Sequence, residues 1–310
     1  MEKIEELQNL IKEDPSNFQA IRELAVALLE IGENEEALKN LFYLVGIFPE
    51  DARLHYNIGI IWEKLKHIDK AIDSYTKALN INPHEEDFLY NLGCAYLQKK
   101  EYEKALELFE QVLEIDEEDA NSFFNIGFIY TKTGNSQKAI EYLEKAIAMN
   151  EEDIIARFHL GYEYKKTGRT QEAIQQYERV LKSSPDYSWA YFNLAAIYWE
   201  MNNVDLALSN LEKTVEINPK DTDAYKLYSQ VLVSLKKNTE ALEILQIALE
   251  ENPLCADLYY YQAQVFKKLN DIPNYQKYLK LTLKNHSTLS FHPKYVKKEL
   301  DASLKQFPEE

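Results

Sequence analysis

ARLHYNIGIIWEKLKHIDKAIDSYTKALNINP, the stretch from Ala52 to Pro83, holds Ile58-Gly59, Trp62, Ala71, Tyr75, Ala78 and Pro83 at offsets that recur along the chain. Thirty-four residues on, Leu92-Gly93, Tyr96, Ala105 and Phe109 fall in the same places. A further step brings Ile126-Gly127, Tyr130, Ala139, Leu143 and Ala146. Eight full units follow one register, starting at Phe18, Ala52, Glu86, Ala120, Ile154, Ser188, Thr222 and Ala256. With slots 1–34 counted from those starts, slot 8 holds Ala25, Gly59, Gly93, Gly127, Gly161, Ala195, Ser229 and Ala263, all small. Slot 20 holds Ala37, Ala71, Ala105, Ala139, Ala173, Ala207 and Ala241, then Tyr275. Slot 11 is large in every unit, from Leu28 and Trp62 to Phe266.

Slots 4, 7, 8 and 11 share one stripe of a helix, and slots 20, 24 and 27 share one of a second helix. Small residues at 8 and 20 let the two backbones approach closely, and the large residue at 11 fills the space beside them. Each such residue, fully buried, contributes roughly 1.5–3 kcal/mol. Gly32, Gly134, Gly168, Asn202 and Asn270 suit a left-handed cap between the helices. Pro49, Pro83, Pro185, Pro219 and Pro253 stop the second helix, and Glu117 and Glu151 replace proline at two junctions, which are expected to bend differently. In the last unit Tyr275 and Pro273 predict looser packing.

The ends differ from the units. Residues 1–17 form an amphipathic half-unit cap with Ile4, Leu7, Leu10 and Ile11 on one face. Residues 18–289 are the eight units, with boundaries 18–51, 52–85, 86–119, 120–153, 154–187, 188–221, 222–255 and 256–289. Residues 290–310 are a C-terminal capping helix with Pro293 as its first residue and Val296, Leu300, Leu304 and Phe307 inward. The fold class expected from this pattern is all-α.

The period, the small residues at slots 8 and 20, the aromatics at slot 11 and the prolines at slot 32 resemble the tetratricopeptide repeat. The resemblance covers residues 18–289 and the half unit before them. It implies antiparallel helix pairs stacked into a right-handed superhelix, with a concave groove lined by the first helices. It also implies a non-catalytic scaffold that holds a peptide or a partner protein in that groove.

Charge narrows the partners. The chain carries −17, and a nucleic-acid backbone would be repelled by such a surface, so no nucleic acid is expected. A basic protein or peptide partner is compatible with it, as is the plainer function of acidity in solubility. From Ala256 onward nine Lys face six Asp or Glu, so residues 1–255 carry −20. No run reaches a membrane span. The start, MEKIEELQNLIKEDP, has no apolar core of a secretory signal, which points to the cytoplasm. Two cysteines, Cys94 and Cys255, supply no disulfide or zinc framework. The oligomeric state is left open, with a monomer favoured.

Two columns are not demanded by the core stripe. Slot 6 lies nearly opposite it and is expected to be exposed, yet reads Asn57, Asn91, Asn125, His159 and Asn193 in units two to six. An Asn amide can both donate to and accept from a peptide group. The row is similar to the asparagine ladder in the tetratricopeptide superhelix of the O-linked N-acetylglucosamine transferase. The alternative is that these amides cap or solvate locally. Slot 5 reads Tyr56, Tyr90, Phe124, Phe158 and Phe192, with Tyr260 in the last unit. These rings either pack against the next first helix or floor a groove for apolar side chains. Arg53, Asp87, Asn121 and Trp189 form the slot-2 rim. The family's carboxylate clamp resembles paired basic residues at slots 2 and 6 of one unit. No unit here has them, and unit three offers Asp87 and Asn91.

No catalytic residue, metal site or cofactor is expected. The six histidines show no ligand spacing, with His55 assigned to a core slot and His67 to a turn. No phosphate loop or nucleophile motif occurs. Cys94 reads as a small apolar filler. The alternative to groove binding is a regulatory or targeting subunit whose convex face or C-terminal segment, with Lys294, Lys297 and Lys298, makes the contact.

Overall fold

A computed structural model describes residues 2–308. Among the described residues there are eighteen α-helices, one 3-10 turn and no strand. The chain divides into two compact units, Met1–Glu151 and Glu152–Glu310. In the first, α1 (Glu2–Glu13) precedes the pairs α2 (Phe18–Ile31) and α3 (Asn34–Ile47), α4 (Ala52–Lys64) and α5 (Ile68–Ile81), α6 (Glu86–Gln98) and α7 (Tyr102–Ile115), and α8 (Ala120–Thr133) and α9 (Ser136–Met149). In the second, α10 (Ile154–Lys166) pairs with α11 (Thr170–Ser183), α12 (Ser188–Glu200) with α13 (Val204–Ile217), α14 (Thr222–Ser234) with α15 (Asn238–Glu251), and α16 (Ala256–Lys268) with α17 (Ile272–Lys284). A 3-10 turn at His286–Thr288 leads to α18 (Lys294–Gln306).

The turn inside every pair is left-handed at slot 15. Gly32, Gly134 and Gly168 have φ of 79–84°, and Asn202 and Asn270 of 57–58°. The same conformation occurs at Lys66, Lys100 and Lys236, each with φ 61°, where the sequence gives no hint of it. Lysine pays a steric penalty there that glycine escapes. The geometry of the pair therefore overrides local preference.

The second helices α3, α5, α7, α9, α11, α13 and α15 all end at slot 30. Five are followed by proline two residues on. Helices α7 and α9, followed by Glu117 and Glu151, end at the same slot. Proline guards a stop that the backbone makes without it.

Close approach governs each pair. A Cβ at Gly59 would lie 2.5 Å from the Tyr75 ring, at Gly93 2.9 Å from Phe109, at Gly127 2.8 Å from Leu143 and at Gly161 3.0 Å from Tyr177. Opposite them Ala71, Ala105, Ala139 and Ala173 are fully buried. The last pair is not loose as expected: Tyr275 at slot 20 is buried beside Leu279 and Ala263, and packs with Val296 and Leu300 of α18. Pro273 sits in the first turn of α17, where it removes no helical hydrogen bond. At the other end α1 buries Leu7, with Ile4 and Ile11 partly covered, but Leu10 stays exposed, because α1 packs on a single neighbour, α2.

Candidate functional site

Three of the four slot-6 amides, those of Asn91, Asn125 and Asn193, do not stand free. Asn91 Nδ2 donates to the Tyr56 hydroxyl at 2.8 Å and to the Asp87 carbonyl at 2.8 Å. Asn125 Nδ2 donates to the Tyr90 hydroxyl at 3.1 Å. Each Asn thus bonds the slot-5 tyrosine of the preceding repeat, 35 residues back. The expected exposure is corrected: Asn57, Asn91, His159 and Asn193 are half-buried and Asn125 is 8% exposed. The reason lies one turn away. Slots 3 and 10, which both lie beside slot 6 on the core side of the wheel, carry Leu54, Phe88, Ser122, Ile61, Ala95 and Ile129, all buried. Slot 6 therefore borders the seam between neighbouring first helices. With both N–H groups of Asn91 used, only its carbonyl oxygen is left for a ligand.

A second row of bonds follows the same 35-residue step. Gln98 Nε2 donates to Glu63 Oε1 at 2.5 Å, and Lys165 Nζ pairs with Glu200 at 3.1 Å. Sequence reading missed this row, although each partner stands at slot 12 or 13 of adjacent repeats.

The slot-5 rings spend one side on the core. Tyr56 lies 5.7 Å from Tyr75 and 4.8 Å from Phe88, Tyr90 lies 5.6 Å from Phe109, and Phe158 lies 5.7 Å from Tyr177. Burial pushes the Tyr56 phenol up to about 12, aided by Asp87 and Glu63, and the Tyr90 phenol up to about 12. Burial also pushes the Cys94 thiol up to about 11, which disfavours the thiolate near neutrality. Phe124 and Phe192 are half-buried in the same way. Asn193 Nδ2 donates to the Trp189 carbonyl at 2.8 Å, since Phe158 offers it no hydroxyl. His55 does not take a core place. It is half-buried, and its Nε2 lies 2.8 Å from the Pro49 carbonyl oxygen. The Tyr259 hydroxyl makes the equivalent bond to Pro253 at 3.0 Å.

Apolar and aromatic side chains nevertheless reach solvent on the first helices. On α10 and α12, Tyr162 is 44% and Trp189 52% exposed, with Ile155 exposed beside Phe158 one turn on. The outward slots of α7 and α9 are charged, with Glu103, Lys104, Glu107 and Glu110 on the one and Lys138, Glu141, Glu144 and Lys145 on the other, whereas the second helix α3 exposes Phe42 and Tyr43.

A pocket of about 310 Å³ opens between α2, α4 and α6. Val26, Leu41, Leu54, Tyr56 and Phe88 form its apolar wall, with Arg22, Arg53, Asn57, Glu85 and Asp87 around them. Arg22 pairs with Asp51 and lies over the Phe48 ring at 5.0 Å. Asp51 also caps α4 through the Arg53 N–H. Glu85 stands at the corresponding position before α6 but makes no cap bond, and its carboxylate reaches Arg53 at 3.3 Å. Among the described residues no group of three His, Cys, Asp or Glu is placed to hold a metal ion. No helix of the described residues is long and apolar enough to cross a membrane.

Tetratricopeptide repeat family models match residues 1–53, 52–85, 87–119, 120–153, 161–202 and 202–265. The chain belongs to the tetratricopeptide repeat family, and its all-α fold is of that solenoid class. No match was found among curated proteins. Among solved structures it is similar to YrrB, a tetratricopeptide protein described as having an unusual peptide-binding site, at 26% identity and TM-score 0.52 over 63% of this chain and 97% of that one. It is similar to MamA at 26% identity and TM-score 0.51, over 56% of this chain and 96% of that one. Its fold also matches pilF of Pseudomonas aeruginosa at 19% identity and TM-score 0.60, over 70% and 97% of the two chains. Family and neighbours together define a protein–protein interaction scaffold.

Proposed function

We propose that the scaffold holds an extended segment of a protein partner along its first helices, in the groove that such helices line in this family. The exposed uncharged strip on α10 and α12 carries the reading. Exposed Trp and Tyr on a regular scaffold are costly to leave in water and are enriched at interfaces. Asn91 and Asn125, with Tyr56 and Tyr90, act mainly by fixing the spacing of neighbouring first helices, and Asn57, His159, Asn193, Phe124, Phe158 and Phe192 continue the two columns. They offer a ligand the ring edges and the carbonyl oxygens that remain. The ladder is thus chiefly an internal brace, and specificity belongs to slots 2 and 9 and to the pocket beside Arg53. The acidity of the chain favours a basic segment. The peptide-binding site described for YrrB is in keeping with this reading.

A photo-crosslinking amino acid placed at Tyr162 or Trp189, and in parallel at Glu178 or Lys213 on the second helices, tests it. Crosslinks to a common partner segment are expected from the first pair of positions. Adducts formed only from Glu178 or Lys213 would place the contact on the opposite side and overturn the proposal.

A further inference from the structure

The slot-5 to slot-6 bond that joins α4 to α6 and α6 to α8 is missing at the first step of the series. There slot 5 is Arg22, which turns to Asp51 and Phe48. The side-chain amide of Asn57, at slot 6 of the next repeat, consequently has no hydrogen-bond partner among the described residues, in contrast to Asn91 and Asn125. The pocket of about 310 Å³ lies where a slot-5 tyrosine would otherwise reach across.

Charge decides what this pocket takes. Arg22 is neutralised by Asp51 and Arg53 by Glu85. Among the described residues the Asp87 carboxylate has no ion pair, and its backbone carbonyl accepts from Asn91. The pocket therefore ends with one uncompensated carboxylate, a free amide and an aromatic face, on a stretch of chain that is strongly acidic. We infer that it receives a basic side chain, arginine in preference to lysine, from the partner segment. The inference rests on the groove reading above and names a chemistry for one place in it. The aliphatic stem would lie along Val26 and Leu54, as long cationic side chains do on apolar surface. The guanidinium would donate to the Asp87 carboxylate and the Asn57 carbonyl oxygen, beside the Tyr56 ring. A planar fork serves two separated acceptors better than a point ammonium does. A carboxylate in the same place would face Asp87 and Glu85. A purely apolar side chain would cover the Asn57 amide and leave it unbonded.

Four blocked tripeptides test this: acetyl-Ala-X-Ala-amide with X as Arg, Lys, Glu or Leu, titrated into the full chain. Nitrogen–proton NMR spectra would follow the Asn57 side-chain amide in the pocket and the Trp189 indole away from it. The Arg peptide should shift the Asn57 amide saturably, the Lys peptide more weakly, and the Glu and Leu peptides not at all. Asp87→Asn should weaken the Arg peptide about threefold to tenfold, and Asp87→Lys should reverse the preference toward Glu. A Glu or Leu peptide that shifts Asn57 as well as Arg does, or an Arg response unchanged in Asp87→Lys, would overturn the inference. Shifts confined to Trp189 and other first-helix residues would remove the pocket and leave the groove standing. Silence of every first-helix reporter with all four peptides would remove both.

Discussion

Repeat two (52–85) and repeat five (154–187) share a frame and differ in how they treat polar groups inside it. Both put glycine at slot 8, alanine at slot 20 and tyrosine at slot 24, as Gly59, Ala71 and Tyr75 against Gly161, Ala173 and Tyr177. In repeat two an acid at slot 12, Glu63, accepts the Tyr75 hydroxyl at 2.9 Å and Gln98 at 2.5 Å. In repeat five slot 12 is Lys165, turned to Glu200, and the Tyr177 hydroxyl is buried without a partner. The acid has moved two places, to Glu163 at slot 10, where the other repeats have Ala27, Ile61, Ala95, Ile129, Ile197, Val231 and Val265. Glu163 is 0% exposed, neither carboxyl oxygen has a hydrogen bond, and its ion pair with Lys166 is long at 3.7 Å. Shape is therefore copied from repeat to repeat, whereas polar satisfaction is settled locally and at several points, Glu163 and Tyr177 among them, left incomplete.

The shared frame should be the hardest part to change. Gly59→Leu forces a side chain where even a Cβ meets the Tyr75 ring at 2.5 Å, and should destabilise by roughly 3 kcal/mol or more through overpacking. Gly161→Leu, starting from 3.0 Å, should be damaging but less so. Urea unfolding midpoints of the two variants would show it, and a wild-type midpoint for Gly59→Leu would break the frame itself.

The difference between the repeats should appear next. Glu163→Ile restores the apolar column and removes an unsatisfied carboxyl, and is expected to stabilise by about 1–2 kcal/mol. The reverse change, Ile61→Glu, should cost more than that gain, since Ile61 is fully buried. A midpoint lowered by Glu163→Ile would mean that the carboxyl has a favourable function in repeat five. On a smaller scale Tyr75→Phe should lose about 1 kcal/mol with its bond to Glu63, and Tyr177→Phe should be neutral or slightly stabilising. Equal losses for the two tyrosines would erase the contrast.

How much of this could be read beforehand follows the same division. Slots 8, 11 and 20 announced the helix pairs because steric demand repeats with the period, and the stop at slot 30 was marked wherever proline followed it. The left-handed turns at Lys66, Lys100 and Lys236 were not legible, because lysine carries no preference for that conformation. The Asn column was visible, but its function was not. Its bonds join slot 5 of one repeat to slot 6 of the next, and a helical wheel of one repeat cannot show a partner on another helix. Glu163 was legible as an acid in an apolar column once slot 10 is written out. The pocket at Asn57 was not, because it arises from where Arg22 turns.

The smallest expected effect concerns alkali. The Tyr56 phenol, pushed up to about 12 by burial, holds its proton more tightly in the folded chain than in the unfolded one, where phenols titrate near 10. A raised folded value means that the folded state binds more protons between these limits. Its contribution is thus complete below about pH 10 and is lost as pH rises toward about 12. Repeat five has Phe158 at the matching slot, which carries no phenol to titrate. Tyr56→Phe should therefore lower stability slightly at neutral pH, by freeing Asn91, and flatten the alkaline fall of the unfolding midpoint. Tyr56 is only half-buried, so solvent screening keeps the flattening small. A Tyr56→Phe variant whose midpoint falls as steeply as the wild type between pH 10 and 12 would show that the phenol titrates alike in both states. The Tyr56–Asn91 brace would then be no tighter than its unbonded counterpart at Phe158.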